Sequence, residues 1–336
     1  MIAVTLIRSQ TVSETERTAL EQLNRRVIEA ASAGNLGDAA DSARQMLEMS
    51  VKLYGDNDTA TALAYYNLGE IYRAKKDYKK SIENLEKALE IYRQHGEKFA
   101  AKIANTALGL GICYGFERNE YKAEQYLLTA VDAAKKSYGT SNKVILPFLV
   151  NLRNFYIFSG NYDKADQQFT EHYTIAVKIF DTESEELEEI EEAHYCFATR
   201  FFSEDTAKHR IKRFRNLVWE TKKSQEVPTF DFFADHDPGI KAEDKEIIPP
   251  KPIKLAKPSY PKNAGLKGIG GKIPVKIKID ETGKIIKAET FCGNSDLAGA
   301  AKKAALKSKF KPTLVNGKPI VTNGYIVYIF DPTRRR

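Results

Sequence analysis

The side chains best suited to nucleophilic, redox or metal chemistry are widely spaced in this sequence. The three cysteines, Cys113, Cys196 and Cys292, form no Cys-x-x-Cys pair, and this spacing argues against a structural zinc site and a disulfide framework. We expect all three to be buried thiols. His194 and His209 flank Cys196, but the five histidines form no metal-ligand or catalytic pattern. The sequence therefore predicts no catalytic residue and no metal site.

A glycine-rich segment at residues 265–271 is the nearest approach to a phosphate-binding loop. Such loops end in Gly-Lys-Ser/Thr and lead into a helix, whose N-terminus faces the anion. This segment has no such ending and precedes a strand-like pattern, so we interpret it as turn geometry. The sequence therefore predicts no bound cofactor.

The charge is divided unevenly between two parts of the chain. From Lys251 onward the chain has 19 Lys and Arg and 5 Asp and Glu, which gives a net charge of +14. The first 250 residues have a net charge of −7. This division argues against one uniform nucleic-acid-binding surface and favours two modules with different partners. The length of 336 residues agrees with two domains. No stretch approaches the 18–20 apolar residues that a membrane-spanning helix needs.

Two short charge runs precede the basic part. Residues 181–192 are rich in glutamate, and we interpret them mainly as the solvated face of a helix. The alternative is that this acidic run attracts the basic C-terminal module. Residues 208–215 are basic, and we expect them to pair with the acidic helix rather than with nucleic acid.

An internal repeat of 42 residues runs through the first part of the chain. The residues that recur at this spacing include small, aliphatic and aromatic side chains: Ala39, Ser81, Ala123, Ala165 and Ala207; Leu68, Leu110 and Leu152; Gly69 and Gly111; Tyr72, Tyr114 and Tyr156; Leu85, Leu127 and Phe169. Each unit places apolar residues at helical spacing in two segments, such as 59–75 and 78–93. The small residues allow the two helices to approach closely, so the repeat predicts a stack of helix pairs.

The segment Asn-Leu-Gly-Glu-Ile-Tyr at 67–72, followed by Asp77, Tyr78, Ser81, Leu85 and Ala88, resembles the tetratricopeptide repeat. The 42-residue period is similar to the long-helix variety found in kinesin light chains. This resemblance implies an all-α superhelical solenoid with units at 59–96, 101–138 and 143–180, an N-terminal cap near 17–52 and a degenerate fifth pair at 185–222. Glu120 and Arg153 depart from the pattern, so we expect less regular packing there.

The last 80 residues show a different, α+β pattern. Residues 272–280 alternate apolar and basic side chains as a half-buried strand does, and Asp280-Glu281-Thr282-Gly283 predicts a hairpin turn. A second strand at 284–291, a helix from 295 to about 307 and a final strand at 320–330 follow. Prolines accumulate among charged residues before this module, so 225–254 is predicted to be a linker.

This module closely resembles the C-terminal domain of TonB-type energy transducers. The matching residues are glycines, prolines and core positions distributed over 255–331: Tyr260-Pro261, Ala264, Gly268, Gly271, Val275, Ile279-Asp280-Glu281, Gly283, Gly293, Leu297, Ala300-Ala301, Phe310, Pro312, Asn316-Gly317, Pro319 and Phe330. The resemblance implies a small ββαβ fold. The predicted organisation is therefore an N-terminal segment at 1–16 (the remnant of a signal or anchor, or a frayed start), a solenoid at 17–224, a linker at 225–254 and a TonB-like domain at 255–332.

The two resemblances also imply two peptide-binding surfaces. Solenoids of the tetratricopeptide type bind peptides in a concave groove lined by the first helix of each pair, which by phase would contain Tyr66, Glu70, Arg73, Asn105, Leu108, Ile112, Val150, Asn154 and Ile157. Domains of the TonB type add an extended receptor peptide to a sheet edge, here the last strand with Val321, Asn323, Tyr325, Val327 and Ile329. The alternative for the groove residues is ordinary solvent-exposed surface.

The resulting hypothesis is a non-enzymatic interaction protein of the bacterial envelope or periplasm. The solenoid would bind one protein, and the TonB-like domain would bind a peptide of a TonB-dependent outer-membrane receptor, with no nucleic acid and no cofactor. Membrane association is expected only if an anchor precedes Met1, and strand exchange would permit a weak homodimer. The alternative is a cytoplasmic or surface scaffold whose C-terminal domain is a generic peptide-binding or dimerisation module.

Overall fold

A computed structural model describes residues 12–181, 184–223, 247–248 and 250–331. By internal contacts the chain divides into two compact units, residues 1–180 and 181–336. Residues 1–11 of the predicted N-terminal segment and most of the predicted linker at 225–254 lie outside the described residues. Within the described residues, no helix is both long enough and apolar enough to cross a membrane.

The first unit consists of helix pairs, as the repeat predicts. Among its described residues, eight α-helices follow each other as α1 Glu14–Ser32, α2 Leu36–Tyr54, α3 Thr59–Ala74, α4 Tyr78–Gln94, α5 Ala100–Phe116, α6 Glu120–Tyr138, α7 Leu146–Phe158 and α8 Tyr162–Ala176. Ser13 and Glu16 form a capping box that starts α1, and the Asp77 and Asn119 side chains cap α4 and α6. The predicted all-α solenoid is confirmed.

The turn within each pair uses a left-handed backbone at the same repeat position. Gly34, Lys76, Arg118 and Gly160 are each 42 residues apart, and their φ angles are +78°, +62°, +59° and +75°. Two of these positions carry long charged side chains in a conformation that favours glycine. The fold therefore repeats the turn geometry more strictly than the residue type.

The two helices of a pair approach each other closely at Gly69 and Gly111, which are one repeat of 42 residues apart. A Cβ added to Gly69 would lie 2.5 Å from Leu85 Cγ, and one added to Gly111 would lie 2.6 Å from Leu127 Cγ. The Ser81 hydroxyl donates a hydrogen bond of 2.8 Å to the Gly69 carbonyl. The expected role of the small residues is confirmed, because both leucines fill the space that a side chain on these glycines would need.

Arg153 occupies the position that Gly69 and Gly111 occupy in the preceding units. Its guanidinium lies over the Phe169 ring, 4.3 Å from the ring centroid, and contacts His172 Nδ1 at 3.3 Å. Burial lowers the pKa of Arg153 to about 10. The departure noted in the sequence is therefore a change of packing, in which a stacked guanidinium replaces a close backbone contact.

The buried imidazole of His172 predicts a pH-dependent stability of the helical unit. Burial, with a smaller contribution from the Arg153 charge, lowers its pKa to about 4. The unfolded chain binds this proton near pH 6.5, so stability present above pH 6.5 is lost as the pH falls towards 4, by about 3 kcal/mol in total. Urea unfolding between pH 7 and 4 measures this loss. His172→Gln is expected to remove this step, whereas the control His95→Gln in the same unit should retain it.

The second unit begins with two helices and continues into the strand-rich module. Its elements are α9 Glu185–Phe201, α10 Glu204–Lys223, β1 Ile247–Ile248, β2 Pro252–Lys254, α11 Lys262–Leu266, β3 Gly271–Ile279, β4 Ile285–Thr290, α12 Ser295–Leu306, β5 Lys309–Phe310, β6 Thr313–Val315, β7 Lys318–Ile320 and β8 Thr322–Phe330. The predicted strands, turn and helix of the ββαβ core are confirmed. β1 and β2 fall within the stretch interpreted as linker, where they pair with β6 and β5.

The main sheet has the antiparallel order β4-β3-β8. Ile273, Val275 and Ile277 of β3 and Ile326 of β8 point to the inner face, where they form one buried core with Leu297 and other residues of α12. The opposite, outer face carries the alternate residues of the strands. Gly283 closes the β3–β4 turn with a φ of +83°, as the predicted hairpin requires.

The expectation of three buried thiols is wrong for two of the cysteines. Cys196 of α9 and Cys292, after β4, form a disulfide with a Cα–Cα distance of 6.1 Å, while Cys113 is free and buried. The bonded residues are 96 positions apart in the sequence. Only the packing of α9 on the module brings them together, so their spacing gave no sign of the bond.

Candidate peptide-binding surfaces

The groove residues of α3 combine a half-buried phenol with a fixed ion pair. Arg73 donates two hydrogen bonds to the Glu70 carboxylate, from Nε at 3.1 Å and from Nη2 at 2.6 Å. Burial, with a smaller contribution from the Glu70 charge, raises the pKa of Tyr66 to about 12, so the phenol remains a hydrogen-bond donor. This arrangement offers both donors and acceptors to an extended backbone.

The structure brings the α3 residues next to α5. A Cβ on Gly109 of α5 would lie 2.8 Å from Glu70 Oε1, so the carboxylate rests against the α5 backbone. In α5, Asn105 is exposed, while Leu108 and Ile112 are half-buried. In α7, Asn154 is exposed, and Val150 and Ile157 are half-buried. All these residues have accessible surface, and their role in binding a peptide stays a prediction.

A lysine–tyrosine contact that the repeat pattern did not predict recurs in three helix pairs. Lys80, Lys122 and Lys164 place their ammonium groups 5.5, 4.7 and 5.3 Å from the ring centroids of Tyr72, Tyr114 and Tyr156. These lysines and tyrosines each recur every 42 residues, and this shared spacing in the sequence indicates that the contact repeats. Tyr114 and Tyr156 also donate hydrogen bonds to Glu86 and Glu124, at 2.6 and 2.8 Å. These contacts join successive helices and indicate a structural role.

The last strand presents four of its five predicted residues on one face. Asn323, Tyr325, Val327 and Ile329 lie on the outer face of β8, opposite to α12, and Val321 precedes the strand. Asn323 and Ile329 are exposed, whereas Tyr325 and Val327 are half-buried. Within the described residues, β8 pairs only with β3, so the other side of its backbone forms a sheet edge.

Helix α9 covers part of the outer face of the sheet, to which both β3 and β8 contribute residues. The Tyr195 ring stacks on Tyr325 at 5.5 Å between centroids, with an interplanar angle of 12°. Glu188 and Glu192 form ion pairs with Lys276 of β3, the second at 3.7 Å. Burial raises the pKa of Glu192 and lowers that of Lys276. Two glutamates of the acidic run therefore contact the basic module, as the alternative interpretation of that run expects.

Comparison with known proteins identifies both modules. Residues 21–94 match the family model of the tetratricopeptide repeat, and residues 256–332 match that of the Gram-negative bacterial TonB protein C-terminal domain. No curated protein matches the chain.

Similar solved structures include repeat proteins and a TonB domain. A putative kinesin light chain of Podosopora anserina with nearly identical TPR-like repeats is 15% identical, covers 63% of this chain and 100% of its own, and has a TM-score of 0.49. BtubC (BKLC) of P. vanneervenii is 18% identical over 65% and 96%, with a TM-score of 0.44. The TonB C-terminal domain of Pseudomonas aeruginosa is 26% identical over 26% and 90%, with a TM-score of 0.23. By the two family matches, the chain combines tetratricopeptide repeats with a C-terminal domain of the TonB type, and both resemblances are confirmed.

Proposed function

We propose that this protein is a non-enzymatic adaptor of the bacterial envelope, in which β8 binds an extended receptor peptide by strand addition. Both modules are of kinds that bind other proteins. The observation that carries the proposal is the edge position of β8, a nine-residue strand with one unpaired side within the described residues. An added strand would gain main-chain hydrogen bonds along this edge.

The charge of the module favours an acidic peptide. Lys311 and Lys318 are exposed near the strands that precede β8, and the region from Lys251 onward has a net charge of +14. Such a surface attracts acidic segments and accelerates their encounter. A TonB-dependent outer-membrane receptor is the partner that the family resemblance favours.

The helical repeats would hold a second partner in the groove that contains Tyr66, Glu70 and Arg73. The bidentate Arg73–Glu70 pair fixes both side chains, so little side-chain entropy is lost when a peptide binds. The adaptor would thereby connect one protein on the repeats with a receptor peptide on β8.

A periplasmic location belongs to the same proposal. Disulfides persist in the periplasm and are rare in the reducing cytosol, so the Cys196–Cys292 bond supports an oxidising compartment. The alternative remains a cytoplasmic or surface scaffold whose C-terminal domain binds peptides generally or forms a weak homodimer. The two differ in which proteins contact β8.

Photo-crosslinking from the two outer strands of the sheet tests the proposal. Ile329 of β8 and Ile286 of β4 are isoleucines on opposite edge strands, exposed to 67% and 51%. A photoreactive phenylalanine analogue at Ile329 in the full chain is expected to crosslink outer-membrane receptors at least tenfold more than the same analogue at Ile286. Mass spectrometry of the adducts measures the ratio.

The possible results separate the two hypotheses. Receptor adducts at Ile329 alone support strand addition to β8. Equal receptor adducts at both positions contradict strand addition to β8. Adducts only with cytoplasmic proteins or with a second copy of this chain contradict the envelope adaptor and favour the alternative scaffold.

A further inference from the structure

The disulfide joins two elements that are separated along the chain. Cys196 lies in the last two turns of α9, and Cys292 follows β4 by two residues. Both bonded cysteines are partly exposed, whereas the free Cys113 is buried. Exchange requires a thiolate to reach one of the two sulfur atoms, and the partial exposure of both residues leaves the bond closer to solvent than the buried Cys113 thiol.

One stripe of α9 contacts the outer face of the sheet and the segment that follows β4. Glu188, Glu192, Tyr195 and Cys196 follow helical spacing and lie on the same side of the helix. Glu188 and Glu192 pair with Lys276, Tyr195 stacks on Tyr325, and Cys196 forms the disulfide. Ion pairs and aromatic stacking therefore hold this helix face on the sheet, and the disulfide joins it to the segment after β4.

We propose that Cys196–Cys292 is a redox site, opened by a dithiol reductant of the thioredoxin class, that controls access to the outer face of the sheet. One thiolate of the reductant attacks a sulfur of the bond, forms a mixed disulfide and releases the other cysteine as a thiolate. The second thiol of the reductant then attacks the mixed disulfide and releases the second cysteine. Two electrons and two protons pass to the cysteines, and the reductant becomes a disulfide.

After reduction, non-covalent contacts alone hold α9 on the sheet, and its ion pairs with Lys276 are partly exposed. The Glu192 and Lys276 side chains are 23% exposed and 3.7 Å apart, and Glu188 is 46% exposed. Ion pairs at partly exposed sites contribute little and are screened by salt. Without the covalent bond, α9 is held by non-covalent contacts that include these pairs and the ring contacts of Tyr195 with Tyr325 and Phe291.

Release of α9 would change the surface on which an added strand lies, and this consequence rests on the proposed function. Alternate side chains of a strand added to β8 would lie on the outer face, beside Tyr325 and Val327. Tyr195 occupies the space above Tyr325 in the oxidised form. Reduction would therefore raise the affinity of β8 for an extended peptide.

Chemical labelling of lysines in the full chain tests the redox site without any peptide. Lys276 and Lys278 lie on the same strand and the same face, but Lys276 is half-buried under α9 and Lys278 is exposed. Reduction, or the double change Cys196→Ser with Cys292→Ser, is expected to raise the acetylation rate of Lys276 at least fivefold and to leave Lys278 unchanged. Cys113→Ala is the control that should behave as the oxidised protein.

The outcomes also distinguish this inference from the proposed function. Labelling of Lys276 that is the same in oxidised and reduced protein, or the absence of the disulfide from protein prepared under oxidising conditions, would overturn the redox site. Faster labelling on reduction without any receptor adduct at Ile329 supports the redox site and contradicts strand addition. Faster labelling together with at least threefold more adduct at Ile329 supports both.

Discussion

Replacing Gly111 with alanine is expected to lower the free energy of unfolding of the helical unit by about 1–3 kcal/mol. Alanine is the better helix former by about 1 kcal/mol, so propensity alone predicts the opposite sign. The added Cβ would lie 2.6 Å from Leu127 Cγ and 3.1 Å from the Leu127 backbone nitrogen. Because a backbone atom cannot rotate away, α5 and α6 must separate. Urea unfolding followed by circular dichroism measures the change.

Gly115→Ala provides the matched control in the same helix. No heavy atom lies within 4 Å of a Cβ built on Gly115, so this change is expected to stabilise the unit by up to about 1 kcal/mol. The two substitutions are chemically identical and differ only in the packing around the glycine. Equal effects at both positions would show that close approach at Gly111 does not limit the packing of the pair.

Gly283→Ala is expected to have the larger effect, a loss of more than about 3 kcal/mol from the C-terminal module. The position has a φ of +83°, which strains an L-residue, and its Cβ would lie 1.9 Å from the Phe310 carbonyl oxygen. The Gly283 carbonyl also accepts a hydrogen bond of 3.0 Å from the Phe310 amide. Any shift that relieves the contact therefore also disturbs the link between the β3–β4 turn and β5.

Gly317→Ala separates the two causes of this loss. Gly317 has a similar φ of +74°, but no atom lies within 4 Å of its added Cβ. Only backbone strain of about 1–2 kcal/mol is expected there. Differential scanning calorimetry of both variants measures the difference, and equal losses would mean that the Phe310 contact is relieved at no cost.

The repeat architecture could be predicted from the sequence because its determinants are local. The predicted helices 59–75 and 78–93 correspond to Thr59–Ala74 and Tyr78–Gln94, and each boundary has a turn or capping residue beside it. Periodic apolar residues and short polar turns specify each helix pair without reference to distant parts of the chain. The position of Gly111 opposite Leu127 also follows directly from the 42-residue phase.

The features that the sequence did not predict depend on contacts between distant residues. The Cys196–Cys292 bond requires α9 to lie on the outer face of the sheet, and no local pattern encodes that arrangement. β2 was interpreted as linker because prolines surround it, although it pairs with β5. The 42-residue phase predicts the groove around Tyr66, and the alternation of side chains along the last strand predicts which residues of β8 share a face. Their predicted residues have accessible surface, but binding depends on a partner whose sequence is not contained in this chain.

The disulfide also has a topological consequence. It closes a covalent ring that begins at Cys196, runs through α10, β1 to β4 and the segments between them, and ends at Cys292. A protease that cuts the chain once inside this ring leaves the two fragments covalently joined, and they separate only after reduction. Limited digestion of the oxidised protein would therefore yield a nicked chain of unchanged mass apart from one added water.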